Sequence, residues 1–176
     1  MVPSDATSTP SVSPRGSRRP ALAGVVVLAL LMLIGAVPAV RLALVEWFPV
    51  SALVEGVRMP AWLPRLGLPF GDNPGWGYWL VETVAALVVL AVFWVRCLAA
   101  YRPRRTRRRI AVQVWLDTVL AVLAGCVVHA VLSTFLTGDR PLPYLLLVGG
   151  AALFALVWGA LTGLITAAAA AAVPAP

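Results

Sequence analysis

The sequence predicts an all-α fold: an integral membrane four-helix bundle with both termini cytoplasmic and a Trp- and Pro-rich outer connector. Three observations carry that expectation. Apolar residues make up 61% of the 176-residue chain and charged residues only 12%, too little polar surface for a soluble domain of this size. Four apolar stretches have about the 20-residue length that a helix needs to cross the hydrocarbon core. Arginines crowd into the N-terminal tail and a single connector, the asymmetry that orients membrane proteins.

Residues 1–20 are rich in Ser, Thr and Pro and close on Arg15, Arg18, Arg19 and Pro20. Such a segment has too few apolar groups to offset the entropy of ordering, and it reads as a disordered cytoplasmic tail. The membrane domain is expected over residues 21–172, with 173–176 as a short C-terminal tail.

The first span is expected over residues 21–40, which at about 1.5 Å per residue covers about 30 Å. A signal peptide is the rival reading, but its apolar region is normally about 7–15 residues, and Val37-Pro38-Ala39 is a weak match to a cleavage site. Pro38 is expected to kink the outer end.

Residues 41–75 form the longest connector, with prolines at 49, 60, 64, 69 and 74 that rule out a continuous helix. Val50, Leu53, Val54 and Val57 recur at helical spacing opposite Ser51, Glu55 and Arg58, the pattern of a short amphipathic helix lying on the membrane surface. Trp47, Trp62, Trp76, Tyr78 and Trp79 surround it, and such side chains settle at headgroup level.

The second span is expected over residues 77–99, the third over 110–135 and the fourth over 143–165. Between the last two, Thr137-Gly138-Asp139-Arg140-Pro141-Leu142 carries turn chemistry, and Pro143 suits a first helical position. The alanines from Ala167 to Ala172 are expected to prolong the last helix, and Pro174 to end it.

Orientation follows from the arginines. The tail holds three and the 101–109 connector six: Arg102, Arg104, Arg105, Arg107, Arg108 and Arg109. The outer connectors balance their few arginines with Glu46, Glu55, Asp72 and Asp139. The tail and the 101–109 connector are therefore expected inside, and four crossings return the C-terminus there. The six arginines read as a topology anchor on the anionic inner leaflet of the cell membrane, worth about 1 kcal/mol each where they meet anionic lipid. Nucleic acid is not the expected partner, because the loop is short and pinned between spans.

Residue types also exclude chemistry. All fourteen basic residues are Arg, so a P-loop Lys, a Schiff-base Lys and a Ser-Lys dyad are impossible. That bias, with abundant Ala, Gly and Pro, suggests a GC-rich bacterial source. One His excludes HExxH metal sites, and Cys97 and Cys126 form no CxxC and read as small buried apolar residues. No catalytic, cofactor-binding or metal-binding residue is expected, and the chain does not read as an enzyme.

What remains is a candidate intramembrane polar cluster: Glu82, Arg96, Gln113, Asp117 and His129. A charge at mid-helix costs about 2.5–3.5 kcal/mol on insertion scales, so such residues pair or face a cavity. In an antiparallel hairpin of spans two and three, the register that levels Glu82 with His129 also levels Arg96 with Asp117 to within about two residues. Azimuth argues against forming both pairs. Glu82 and Arg96 lie about 40° apart on their helix, whereas Asp117 and His129 lie about 120° apart on theirs, so at most one pair is expected to be direct. Gln113, one turn before Asp117, is placed to join the inner group. The functional reading is a proton or ion pathway or a ligand pocket, since imidazole titrates near neutral pH; the structural reading is a pair of helix staples.

Span four carries Ala151, Ala155, Gly159, Gly163 and Ala167, one small residue every four, including a GxxxG. Small residues let another backbone approach, and Thr162 and Thr166 can hydrogen-bond beside that face. The face is expected to pack inside the bundle or to meet a membrane partner or a second copy. Two function classes follow: an accessory, assembly or scaffold subunit, and a small transporter or proton-coupled carrier using Glu82, His129, Arg96 and Asp117.

Overall fold

The computed structural model describes residues 19–47, 63–66, 75–100, 106–137 and 141–173. It is almost wholly helical, with no strand among the described residues. The elements are α1 (Arg19–Gly35), α2 (Pro38–Trp47), α3 (Trp76–Ala100), α4 (Arg107–Thr137) and α5 (Pro141–Ala172). Helices α3, α4 and α5 are each long and apolar enough to cross a membrane, and the bent pair α1–α2 makes a fourth if it counts as one span. The chain therefore has the make-up of a multi-pass membrane protein.

The first span differs from its expected bounds. α1 ends at Gly35, and α2 leaves it at 82°. The break has local causes. The Ala36 and Val37 amides turn back to the Leu33 and Ile34 carbonyls at 3.1 Å, a tightened last turn. Pro38 lacks an N–H and so cannot continue the ladder, yet it suits the first position of a new helix, whose first bonds run from Val40 and Arg41 to the Val37 carbonyl. α1 has 17 residues, about 25 Å long and near the lower limit for crossing. α2 leaves Leu42 67% and Trp47 81% exposed, as suits a helix turned out along a membrane surface.

The other helices overrun their expected ends by one to three residues, and the alanine tail prolongs the last one as expected. α3 starts at Trp76, after Gly75, whose φ of +101° lies in the left-handed region that glycine enters at least cost. The Gly75 carbonyl accepts from Trp79 at 3.2 Å. α4 starts three residues early, so Arg107, Arg108 and Arg109 form its exposed first turn. α5 starts at Pro141 rather than Pro143 and runs to Ala172 through the alanine tail. The amphipathic segment expected around Val50–Val57, the N-terminal tail to residue 18, the turn at 138–140 and residues 174–176 lie outside the described residues.

Packing joins the helices in a closed order. α4 lies most extensively against α5 and then against α3, while α1 touches both α3 and α5. Leu28, Met32, Val89, Phe93, Ala121, Val122 and Ala155 are fully buried at the centre. Gly24 of α1 lies under the Phe93 ring, where a Cβ would come within 2.7 Å of Cζ. Gly125 of α4 sits under Val89 and 3.0 Å, from its Cβ position, from the Ala85 carbonyl oxygen. Each helix turns large apolar side chains outward, among them Leu30, Leu87, Leu120 and Leu161. So much exposed apolar surface suits a lipid solvent.

The small-residue face of α5 is spent inside the chain. Ala151, Ala155, Gly159, Gly163 and Ala167 are all buried. The Gly159 Cβ position lies 3.1 Å from the Val119 Cα, and that of Gly163 3.2 Å from the Trp115 carbonyl oxygen, so α4 occupies the face. Trp115 Nε1 donates to the Ala160 carbonyl at 3.0 Å, and Thr118 and Thr166 meet hydroxyl to hydroxyl at 2.8 Å. Each hydroxyl has one proton, so one donates across and the other back to its own helix. Among the described residues Thr162 bonds to its own helix, to the Trp158 carbonyl at 2.7 Å.

Candidate functional site

The polar residues at membrane depth gather into two groups at opposite ends of the α3–α4 interface. Glu82 stands about two turns into α3, and His129 about two turns before the end of α4. Both are buried, 4% and 1% exposed, and His129 Nε2 lies 3.4 Å from Glu82 Oε1. That separation exceeds the 2.7–3.2 Å of a good hydrogen bond, and neither enclosed atom makes a well-aligned one among the described residues. The other carboxylate oxygen, Oε2, accepts the Arg65 backbone N–H at 2.8 Å. His129 Nδ1 is 3.5 Å from Ser133 Oγ, and the Tyr78 ring meets the imidazole edge-on with centroids 5.7 Å apart. Thr83 Oγ1 nearby in sequence is enclosed without a partner.

The sequence reading missed the contribution of the connector. Leu63 and Pro64 are buried, and Arg65 follows them to reach Glu82 with its main chain. An irregular segment carries no periodicity to announce such a fold-back. The signal available was accounting: Pro64 breaks any regular ladder, so neighbouring amides must find acceptors elsewhere, and Glu82 supplies one.

At the other end Arg96 Nε donates to Asp117 Oδ1 at 2.9 Å, while Gln113 Nε2 donates to Oδ1 at 3.1 Å and Oδ2 at 3.2 Å. Asp117 is fully buried, but the Arg96 side chain stays 47% exposed. Both pairs are direct, against the expectation of one at most. An azimuth fixes only the direction of a Cα–Cβ bond, not where a long side chain ends. Arg96 sits on the outer flank of α3 and its long stem reaches sideways, so a backbone offset of tens of degrees is absorbed by the side chain.

Between the groups the interface is apolar. Ala85, Ala86, Val89 and Phe93 on α3 and Ala121 and Val122 on α4 are 0% exposed. Glu82 and Arg96 are separated by about 21 Å of helix rise. Cys97 and Cys126 are buried and free. Among the described residues no three His, Cys, Asp or Glu side chains gather as a metal site would require. Arg102, Arg104 and Arg105 lie outside the described residues, whereas Arg107, Arg108 and Arg109 are exposed.

Comparison with protein-family profiles, with curated proteins and with solved structures returns no match.

Proposed function

We propose that the chain is a four-span protein of the cell membrane, with both termini cytoplasmic, that acts as a non-enzymatic accessory, assembly or scaffold subunit. The observation that carries this reading is the packed apolar layer between the two polar groups. A proton or ion relay needs a continuous polar path, and here the middle of the α3–α4 interface is alanine, valine and phenylalanine fitted around Gly125. Each polar group instead joins α3 to α4 on one level, the use expected of a staple. The exposed arginines at the start of α4 support the proposed orientation, and they anchor that end on the inner leaflet. Because α4 covers the small-residue face of α5, partners are assigned to the outward apolar surfaces and the outer connector. Affinity purification in mild detergent tests this reading: a reproducible membrane partner is expected, and recovery of the chain alone contradicts it.

A carrier is the second reading, favoured by one observation. Glu82 Oε1 and His129 Nε2 are enclosed and imperfectly bonded, as in a site that binds a proton or a small ligand from the outer side. Flux into proteoliposomes decides between the two. Flux abolished by Glu82→Gln and by His129→Ala favours the carrier, and no flux in the unaltered protein favours the accessory role.

A further inference from the structure

The donor count at Arg96 points to a ligand. Both oxygens of Asp117 are already engaged, Oδ1 by Arg96 and Gln113 and Oδ2 by Gln113. A guanidinium has five N–H donors, and among the described residues the ion-pair contact of Arg96 runs from Nε to Asp117 alone. The ion pair engages Nε, and 47% of the side chain is exposed. The side chains beside it on α3, Val92, Val95 and Leu98, are apolar and contain no acceptor. Its remaining donors are open to an acceptor from outside the chain.

Depth and charge identify its class. Arg96 lies four residues before the end of α3 at Ala100, about 6 Å from the helix end, where lipid phosphates and ester groups begin. Arg96 and Asp117 cancel, whereas Arg107, Arg108 and Arg109 leave this end of the hairpin cationic. Arg109, Gln113 and Asp117 follow one another at four-residue spacing and turn from exposed through half-buried to buried. They form a polar ladder leading down from the surface to Arg96. Resting on the reading that α3 and α4 cross the bilayer, we propose that this end of the α3–α4 pair seats the phosphate of an anionic phospholipid, bound by the free donors of Arg96 and by Arg109.

The test is retention of phosphatidylglycerol, read by native mass spectrometry after release from nanodiscs of phosphatidylcholine and phosphatidylglycerol. Removing Arg96 alone strands a buried acid, so the comparison is Asp117→Asn against Asp117→Asn with Arg96→Gln. Asp117→Asn is expected to keep the lipid, and the double variant to lose it roughly fivefold, the weight of one basic residue at an anionic surface. Arg109→Gln is expected to lower retention, and Arg108→Gln, on the opposite side of α4 from Asp117, to lower it less. Equal retention in the single and double variants overturns the proposal, as does an equal loss from Arg108→Gln. Stabilisation of the detergent-solubilised protein by inorganic phosphate alone assigns Arg96 and Arg109 to a free anion and also overturns it. Extraction of the chain from membranes by alkaline carbonate would instead remove the membrane reading itself, so the two failures are distinguishable.

Discussion

Glu82 Oε1 and His129 Nε2 face each other at 3.4 Å inside the α3–α4 interface, while the second oxygen of the same carboxylate holds the Arg65 amide at 2.8 Å. One side chain thus ties two long helices to the connector that precedes them. Its loss is expected to be felt in proportion to the partners left unmatched. Glu82→Ala strands the Arg65 N–H and the imidazole, whereas Glu82→Gln keeps an acceptor for Arg65. An unsatisfied buried group costs about 1–3 kcal/mol, so thermal unfolding in detergent should show Glu82→Ala clearly less stable than Glu82→Gln. Equal losses would detach Arg65 from the account.

The inner pair is asymmetric, and its variants should be too. Asp117 is fully buried while Arg96 is half exposed. Arg96→Ala leaves a buried carboxylate with only Gln113 for support; Asp117→Ala frees an arginine that can snorkel to the interface. Arg96→Ala is therefore expected to be the more destabilising, and the double variant less so than the two single losses added together. Thermal unfolding of the three variants checks this, and strict additivity would show that the contact contributes nothing.

Close backbone approach gives a sharper test. A Cβ on Gly125 collides with Val89 and lies 3.0 Å from the Ala85 carbonyl oxygen, whereas one on Gly149 meets nothing within 4 Å. Gly125→Ala is expected to lower stability by about 1–3 kcal/mol through overpacking, with Gly149→Ala close to neutral. Parallel melting curves of the two variants measure the difference, and a harmless Gly125→Ala would mean that α3 and α4 are further apart than described.

These contacts show what the sequence made legible. Helices α3, α4 and α5 were readable because apolar length is dictated by the hydrocarbon that surrounds it, and the break in α1 because Pro38 removes a donor. The levels of Glu82 with His129 and of Arg96 with Asp117 followed from helix rise alone. That both pairs close did not, because azimuth fixes a Cα–Cβ direction while an arginine stem spans the shortfall. The fold-back of Leu63–Leu66 had no period to read, only the unmet amides that Pro64 implies. The destination of the α5 small-residue face stayed open too: spacing reveals that a helix can be approached closely, not which helix approaches.

The α4–α5 contact has its own measurable component. Thr118 and Thr166 meet at 2.8 Å in a buried setting. Hydrogen bonds between membrane helices average about 0.6 kcal/mol in double-mutant cycles. A cycle of Thr118→Val and Thr166→Val is expected to give a coupling of that order, small because each hydroxyl can return to its own helix. A coupling of zero would contradict the cross-helix bond.

The number of crossings is the claim on which the rest depends, and α1 is where it is most exposed. Its 17 residues end in an 82° bend, so the chain crosses four times only if α1, alone or with α2, passes through. Reporter fusions at the two termini, read for cytoplasmic fluorescence and for activity on the far side of the membrane, measure this directly. Four crossings place both reporters in the cytoplasm. Reporters on opposite sides would mean three crossings, with α1 lying outside the hydrocarbon, and would contradict the account.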